Sequence, residues 1–182
     1  MIEILAVLSI GAATGLRVIL PLLLVGLMSG DRLWADIPLV AKLPPNLVLG
    51  ALVGGSIAEL LLSKDRYGQR LLYPAELILS LGVGVLVGIG IGRSLGLPSE
   101  FHRVAGLISG LLALVIQFSQ VGWFYRPQPL PLWMFFLVDG LCVSLALCSF
   151  YAPQLGGITA LVLLWLVLRT AYRWRDWFRD RG

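Results

Sequence analysis

The sequence predicts an all-α fold, a polytopic membrane helix bundle of about six transmembrane helices with glycine-rich packing faces. Composition is the first reason, since 58% of the 182 residues are hydrophobic, 13% are charged and the mean hydropathy is +0.90. A soluble domain carries about 25% charged residues, so the membrane is the solvent that this composition requires. Long apolar segments and glycines spaced four residues apart are the other two reasons.

Each apolar segment is long enough, or nearly so, to cross a hydrocarbon core of about 30 Å. The spans are predicted near 3–28, 46–63, 71–93, 104–124, 132–151 and 155–172. Residues 1–182 are therefore expected to form a single integral-membrane domain without a separate soluble one. The polar stretch between the first two spans is too short to cross, and we expect it to lie in the membrane interface.

The first span combines an apolar run with an arginine and a proline near its middle. At about 100° per residue, Gly11, Thr14, Arg17 and Pro21 fall on one stripe of a helix, so we expect lipid on the opposite, leucine-rich side. Pro21 has no N–H and leaves the carbonyl of Arg17 without a helical partner. We expect the proline to kink a true span and not to turn the chain back.

Polar, charged or helix-breaking residues are embedded in four of the spans: Thr14, Arg17, Pro21, Glu59, Glu76 and Asp139. A charged side chain in the bilayer is costly and normally faces a partner or a water-filled cavity. We therefore predict a salt bridge from Arg17 to an acid, with Asp139 ranked first and Glu76 second. The functional interpretation is a polar cavity open to the cytoplasm. For Glu59 and Glu76, the interpretation favoured by the sequence is solvation at the headgroups.

Small residues at four-residue spacing let helix backbones approach closely in lipid, and four spans show this pattern. The predicted packing residues are Gly11, Gly15, Gly50, Gly54, Gly84, Gly88, Gly92, Gly106 and Gly110. Three of them, Gly84, Gly88 and Gly92, form a glycine zipper. Replacing Gly88 with leucine is expected to matter far more than the same change at Gly96, which is placed in a loop.

No motif in the sequence predicts an enzyme, a catalytic residue, a cofactor or a metal site. His102 is the single histidine, and HExxH and Walker motifs do not occur. Cys142 and Cys148 are six residues apart, about 240° around one helix, which favours neither a disulfide nor a shared metal. Five of the fourteen basic residues lie in the C-terminal tail, and this favours anionic lipid over nucleic acid as a partner.

Basic residues also predict the orientation, because lysine and arginine concentrate on the cytoplasmic side of a membrane protein. If six spans alternate and the N-terminus is inside, the inner loops and tail hold nine lysines and arginines and the outer loops hold four. Both termini are therefore predicted to be cytoplasmic.

The opening GAATGLRVILPLLLVGLM and the later AELLLSKDRYG resemble a family of small bacterial membrane proteins known as domain of unknown function 4126. The resemblance rests on Gly15, Arg17 and Pro21 in the first span and on Glu59 near the end of the second. It implies a multi-pass bundle in a bacterial membrane, either the inner membrane or an internal one. It brings no established activity, substrate or catalytic residue.

Two functions remain open from the sequence. The first is a small channel or transporter-like protein for a small ion or polar solute, using Arg17 with Asp139 and Glu76. The second is a non-catalytic subunit or assembly factor of a larger membrane complex, with glycine-rich faces that dock other helices. Membrane lipids are partners in both cases, and a homo-oligomer or a larger complex is compatible with the second. The direction in which the polar residues and the glycine faces point distinguishes the two.

Overall fold

Seven α-helices make up the described part of the computed structural model, which covers residues 2–28, 37, 42–62, 66–124 and 132–179. They are α1 (Ile2–Leu16), α2 (Ile19–Met28), α3 (Pro45–Leu62), α4 (Arg66–Ser94), α5 (His102–Phe124), α6 (Leu132–Tyr151) and α7 (Pro153–Arg179). A 3-10 turn, Ser99–Phe101, precedes α5, and these ranges contain no strand. The all-α helix bundle predicted from the sequence is confirmed.

Four helices of the described residues are long and apolar enough to cross a membrane: Pro74–Ser94, Ser99–Gln120, Trp133–Tyr151 and Pro153–Thr170. They correspond to the third, fourth, fifth and sixth predicted spans. The second predicted span corresponds to α3, and the first is divided between the shorter apolar helices α1 and α2. Large apolar side chains are exposed on the outer helices, such as Ile78, Phe118 and Leu155. The helices are thus those of a polytopic membrane protein whose outer faces contact lipid.

The predicted interfacial segment between the first two spans lies mostly outside the described residues. Ile37 is an exception, and its side chain is only 1% exposed and belongs to the hydrophobic core. The side chain of this residue is therefore buried against the bundle. After this segment, α3 begins at Pro45, a position where the missing N–H of proline costs the helix no hydrogen bond.

The central helix of the bundle is α1, because α4, α5, α6 and α7 all pack against it. Every residue from Ser9 to Leu16 is buried. The prediction that lipid covers one side of this segment is therefore wrong for α1. Small residues occupy all faces of the helix between Ser9 and Gly15, and they let several helices approach the same axis.

Glycines also allow the helices to approach each other closely, including α4 and α5. Seven of the predicted packing glycines lie against a neighbouring element: Gly11, Gly15, Gly84, Gly88, Gly92, Gly106 and Gly110. A Cβ atom added to Gly88 would lie 2.5 Å from the Cβ of Ser109 and 3.0 Å from the carbonyl oxygen of Ala105. Real Cβ atoms do not approach this closely, so the contact requires glycine at this position.

Gly50 and Gly54 of α3 do not follow this pattern within the described residues, and their role in helix packing stays a prediction. Both are exposed, and no described heavy atom lies within 4 Å of a Cβ placed on either one. The opposite face of α3, which carries the buried residues Val48, Ser56 and Glu59, is turned inward. The spacing of glycines alone does not tell which face of a helix contacts a neighbouring helix. In α3 the face that contacts the bundle is the one that carries Glu59.

Side-chain contacts give the directions of the helices. Ser9 donates a hydrogen bond from Oγ to the carbonyl of Leu145 at 2.7 Å, and Cys142 donates from Sγ to the carbonyl of Ala13 at 3.3 Å. Rising residue numbers in α1 thus meet falling numbers in α6, so the two helices are antiparallel. The next helix, α7, starts with Gly156 beside Ser9 and then packs along α1. It follows that α1 and α7 run in the same direction.

The first helix therefore begins at one end of the bundle and the last helix finishes at the other. We call the end that contains Leu16, Glu76 and Asp139 the polar end. A bundle that crosses the membrane in this way would place its termini on opposite sides, whereas the sequence predicts two cytoplasmic termini. The reason for this difference is that α2, with 10 residues and a length of about 15 Å, is too short to provide the additional crossing.

We expect the N-terminus to face the outside and the C-terminal tail to face the cytoplasm. The stretches 63–70, 125–131 and 169–182 adjoin the helix ends of the polar end in sequence and hold nine lysines and arginines. In a background with both native cysteines replaced by serine, Glu3→Cys should react with an impermeant thiol reagent in intact cells. Arg181→Cys should react only after permeabilisation. Labelling of both positions from the same side would contradict this orientation.

Candidate functional site at the helix break

The first apolar segment is broken at Arg17 and Val18, between α1 and α2. Pro21 is the local cause, because it has no N–H to donate and its ring clashes with the carbonyl four residues earlier, that of Arg17. The Arg17 N–H still bonds to the carbonyl of Ala13 at 3.0 Å, so α1 is regular up to the break. Pro21 is then the third residue of α2, where a helix uses no backbone N–H. The prediction of one kinked span is therefore replaced by two separate helices.

Glu59 of α3 caps the start of α2. Its Oε1 accepts a hydrogen bond from the Val18 N–H at 3.0 Å, and its Oε2 accepts one from the Ile19 N–H at 3.3 Å. These amides lie at the N-terminus of α2, where N–H groups lack helical partners and the helix dipole favours a negative charge. Glu59 is 2% exposed, so the prediction of solvation at the headgroups is wrong. The break in the helix supplies the donors that allow this acid to be buried.

Arg17 is paired with Asp139 of α6. The distance between Nε of Arg17 and Oδ1 of Asp139 is 2.7 Å, and the side chains are 4% and 15% exposed, respectively. Asp139 is the partner ranked first from the sequence. Arg17 also interacts electrostatically with Glu59 and Glu76, so its single positive charge is surrounded by three acids.

Glu76 of α4 is 4% exposed and accepts, at Oε2, a hydrogen bond of 2.8 Å from Nε2 of Gln117 on α5. Its carboxyl group also lies within interaction range of Glu59 and Arg17. Solvation at the headgroups is thus the wrong prediction for Glu76 as well. The physical reason is that Gln117, which is fully buried, offers a hydrogen-bond donor inside the bundle that the acid would otherwise find only in water.

We call the side chains that meet at the helix break the polar centre: Arg17, Glu59, Glu76, Gln117 and Asp139. They come from four different helices and the break itself. Thr14, also predicted as a site residue, does not belong to the polar centre, because its Oγ1 donates to the carbonyl of Ile10 within α1 at 2.9 Å. Pro21 contributes by breaking the helix. Gln117 was missed as a site residue, although a glutamine inside an apolar span is a signal that the sequence contains.

Several buried polar atoms in the described part of the chain have no hydrogen-bond partner: Ser56 Oγ, Glu76 Oε1, Ser109 Oγ, Gln117 Oε1 and Gln120 Nε2. Two of them, both acceptors, belong to the bonded pair Glu76 and Gln117. A buried polar group left without a partner costs about 1–3 kcal/mol, so these two acceptors are suited to bind a cation or a hydrogen-bond donor, and the carboxyl group of Glu76 can also bind a proton. The described residues contain no group of three or more His, Cys, Asp or Glu side chains placed to hold a metal ion.

Comparison with known proteins agrees with the family resemblance. No curated protein and no solved structure matches the chain. A family model described as "Domain of unknown function (DUF4126)" matches residues 4–173, which extends from α1 into the last turns of α7 and includes every residue of the polar centre. The chain belongs to the DUF4126 family.

Proposed function

We propose that the protein is a small channel or transporter-like protein, and that a small ion or polar solute passes through the polar centre. The observation that supports this proposal is the break between α1 and α2, which lies in a buried cluster of charged residues. Within a membrane, non-helical backbone is tolerated where it is buried in protein or lines a cavity. Many transporters use discontinuous helices of this kind to form their binding sites.

The charges of the polar centre support a functional role. Three acids surround one arginine, and Asp139 makes a direct salt bridge with it. Buried ion pairs are weak stabilisers, since well-packed apolar residues often serve stability equally well. Ionisable residues within a membrane protein therefore usually mark a path for ions, protons or substrates. An excess of acidic groups favours a cation or a proton as the solute.

The depth of the polar centre favours a gated path. Glu76 is two residues from the start of its candidate span at Pro74, and Asp139 is six residues from Trp133. At 1.5 Å per residue, these offsets are about 3 Å and about 9 Å. The site is therefore close to the polar end, whereas the tightly packed residues from Ser9 to Leu16 lie between it and the opposite end. Passage of a solute would require movement of α1 against its neighbours.

Flux through liposomes tests this proposal. Purified protein should be reconstituted and assayed for proton flux with an internal pH-sensitive dye, and for monovalent cations and anions with selective dyes or tracers. We expect flux of protons or a monovalent cation above that of protein-free liposomes. Folded protein that gives no flux for any of these solutes would contradict the proposal.

A non-catalytic subunit of a larger membrane complex is the second candidate function, and the exposed Gly50 and Gly54 of α3 favour it. Small residues on an exposed face would let a helix of a partner protein approach closely. Cross-linking in native membranes followed by mass spectrometry tests this. A stoichiometric partner that is lost with Gly54→Leu and retained with Gly82→Leu, a change at another open glycine, would support the complex.

A further inference from the structure

We propose that Glu76 is the residue of the polar centre that takes up and releases a proton. This inference rests on the transport function proposed above and names the ion involved. It follows from the hydrogen-bond donors that each acid receives.

Two of the three acids have donors that suit a carboxylate. Both oxygens of Glu59 accept backbone N–H groups, from Val18 at 3.0 Å and from Ile19 at 3.3 Å. Asp139 faces the guanidinium of Arg17 at 2.7 Å. An ionised carboxylate only accepts hydrogen bonds, so N–H donors on both oxygens, or a guanidinium, match that form.

Glu76 has a different set of partners. One oxygen, Oε2, accepts a hydrogen bond from the neutral amide of Gln117, whereas Oε1 has no donor among the described residues. The Glu76 carboxyl group also interacts electrostatically with Glu59. Two ionised carboxylates that share a buried site repel each other, and a proton on one of them removes this repulsion. Glu59 is already bonded to two amides, and the proton is therefore assigned to Glu76.

The other charged and titratable groups around Glu76 agree with this assignment. Glu59 approaches it from α3 and Arg17 from the helix break, while Asp139 and Cys142 lie on α6. Arg17 is bonded to Asp139, and the thiol of Cys142 donates to the carbonyl of Ala13. Of the buried carboxylate oxygens in the described residues, Oε1 of Glu76 is thus the one without a hydrogen-bond partner. Uptake adds one proton from water to the carboxylate, release returns it, and no oxidation or reduction is involved.

Infrared difference spectroscopy of the reconstituted protein tests the assignment. The measurement compares acidic with alkaline pH and detects the carbonyl stretch of a protonated carboxyl group. Glu76→Gln keeps the shape of the side chain and removes the exchangeable proton. Glu100→Gln is the matched control, because Glu100 is exposed at the opposite end of the bundle. We expect a pH-dependent band that is lost in Glu76→Gln, retained in Glu100→Gln and unaffected by sodium at constant pH.

A band that persists in Glu76→Gln, or is absent from the wild type, would overturn the assignment. A band that sodium removes at constant pH would assign a metal cation to the site and overturn it as well. Flux in liposomes distinguishes this result from failure of the transport function. Proton flux with an unchanged band in Glu76→Gln would refute the role of Glu76 and retain transport. A band lost in Glu76→Gln without any wild-type flux would support proton exchange by Glu76 and refute transport.

Discussion

Arg17→Gln and Asp139→Asn are each expected to destabilise the protein much more than the double variant does. In the wild type, Nε of Arg17 lies 2.7 Å from Oδ1 of Asp139. Either single change leaves one buried charge without its partner, and such a change typically costs about 3–5 kcal/mol of stability. Arg17→Gln should be the more damaging of the two, because Arg17 also interacts with Glu59 and Glu76. In the double variant two neutral amides face each other and can form a hydrogen bond, so much of the lost stability should return.

Thermal unfolding in detergent, followed by tryptophan fluorescence, measures these differences. Arg103→Gln is the control, since Arg103 is exposed near the start of α5, and a surface change of this kind is usually within about 0.5 kcal/mol of the wild type. Additive losses in the double variant would show that the pair does not act as a unit. In that case the interpretation of the polar centre as a set of coupled charges would be wrong.

Gly88→Leu is expected to produce the second large effect, by separating α4 from α5. Because a Cβ at this position would lie 2.5 Å from that of Ser109, the backbones must move apart to accept any side chain. Inserting bulk into a packed core typically costs about 1–3 kcal/mol, and a leucine at a helix crossing should reach the upper part of this range. Folded yield and melting temperature in detergent are the measurements.

Gly82→Leu is the matched control for this prediction, since Gly82 is on the same helix and has no heavy atom within 4 Å of a Cβ placed on it. Gly96, which the sequence suggested as the neutral position, is unsuitable because its φ angle of 73° is one that residues with side chains rarely adopt. Equal losses at positions 82 and 88 would mean that close packing of α4 on α5 does not contribute to stability.

Much of the architecture could be predicted because the membrane imposes simple requirements on a sequence. Apolar segments of sufficient length predict helices, and the cost of an unpaired charge in lipid predicts a partner for Arg17. The position of α1 could not be predicted in this way. A stripe of small and polar residues indicates which face is buried only for a peripheral helix, whereas α1 is surrounded by four others.

The role of Glu59 could not be predicted because it depends on a break in another helix. Its donors, the amides of Val18 and Ile19, become free only when α1 ends before Pro21. A continuous helix would have used those N–H groups itself, and an acid near the end of α3 would then have had water as its best partner. Glu76 is a similar case, since its donor comes from Gln117, distant in sequence on α5.

The central claim is that solute moves through the polar centre. The most direct test is proton and cation flux in liposomes that contain equal amounts of folded wild type or the double variant Arg17→Gln with Asp139→Asn. The pair lies in the proposed path, so we predict flux in the wild type and its loss in the folded double variant. Flux that is unchanged in the double variant would contradict the claim.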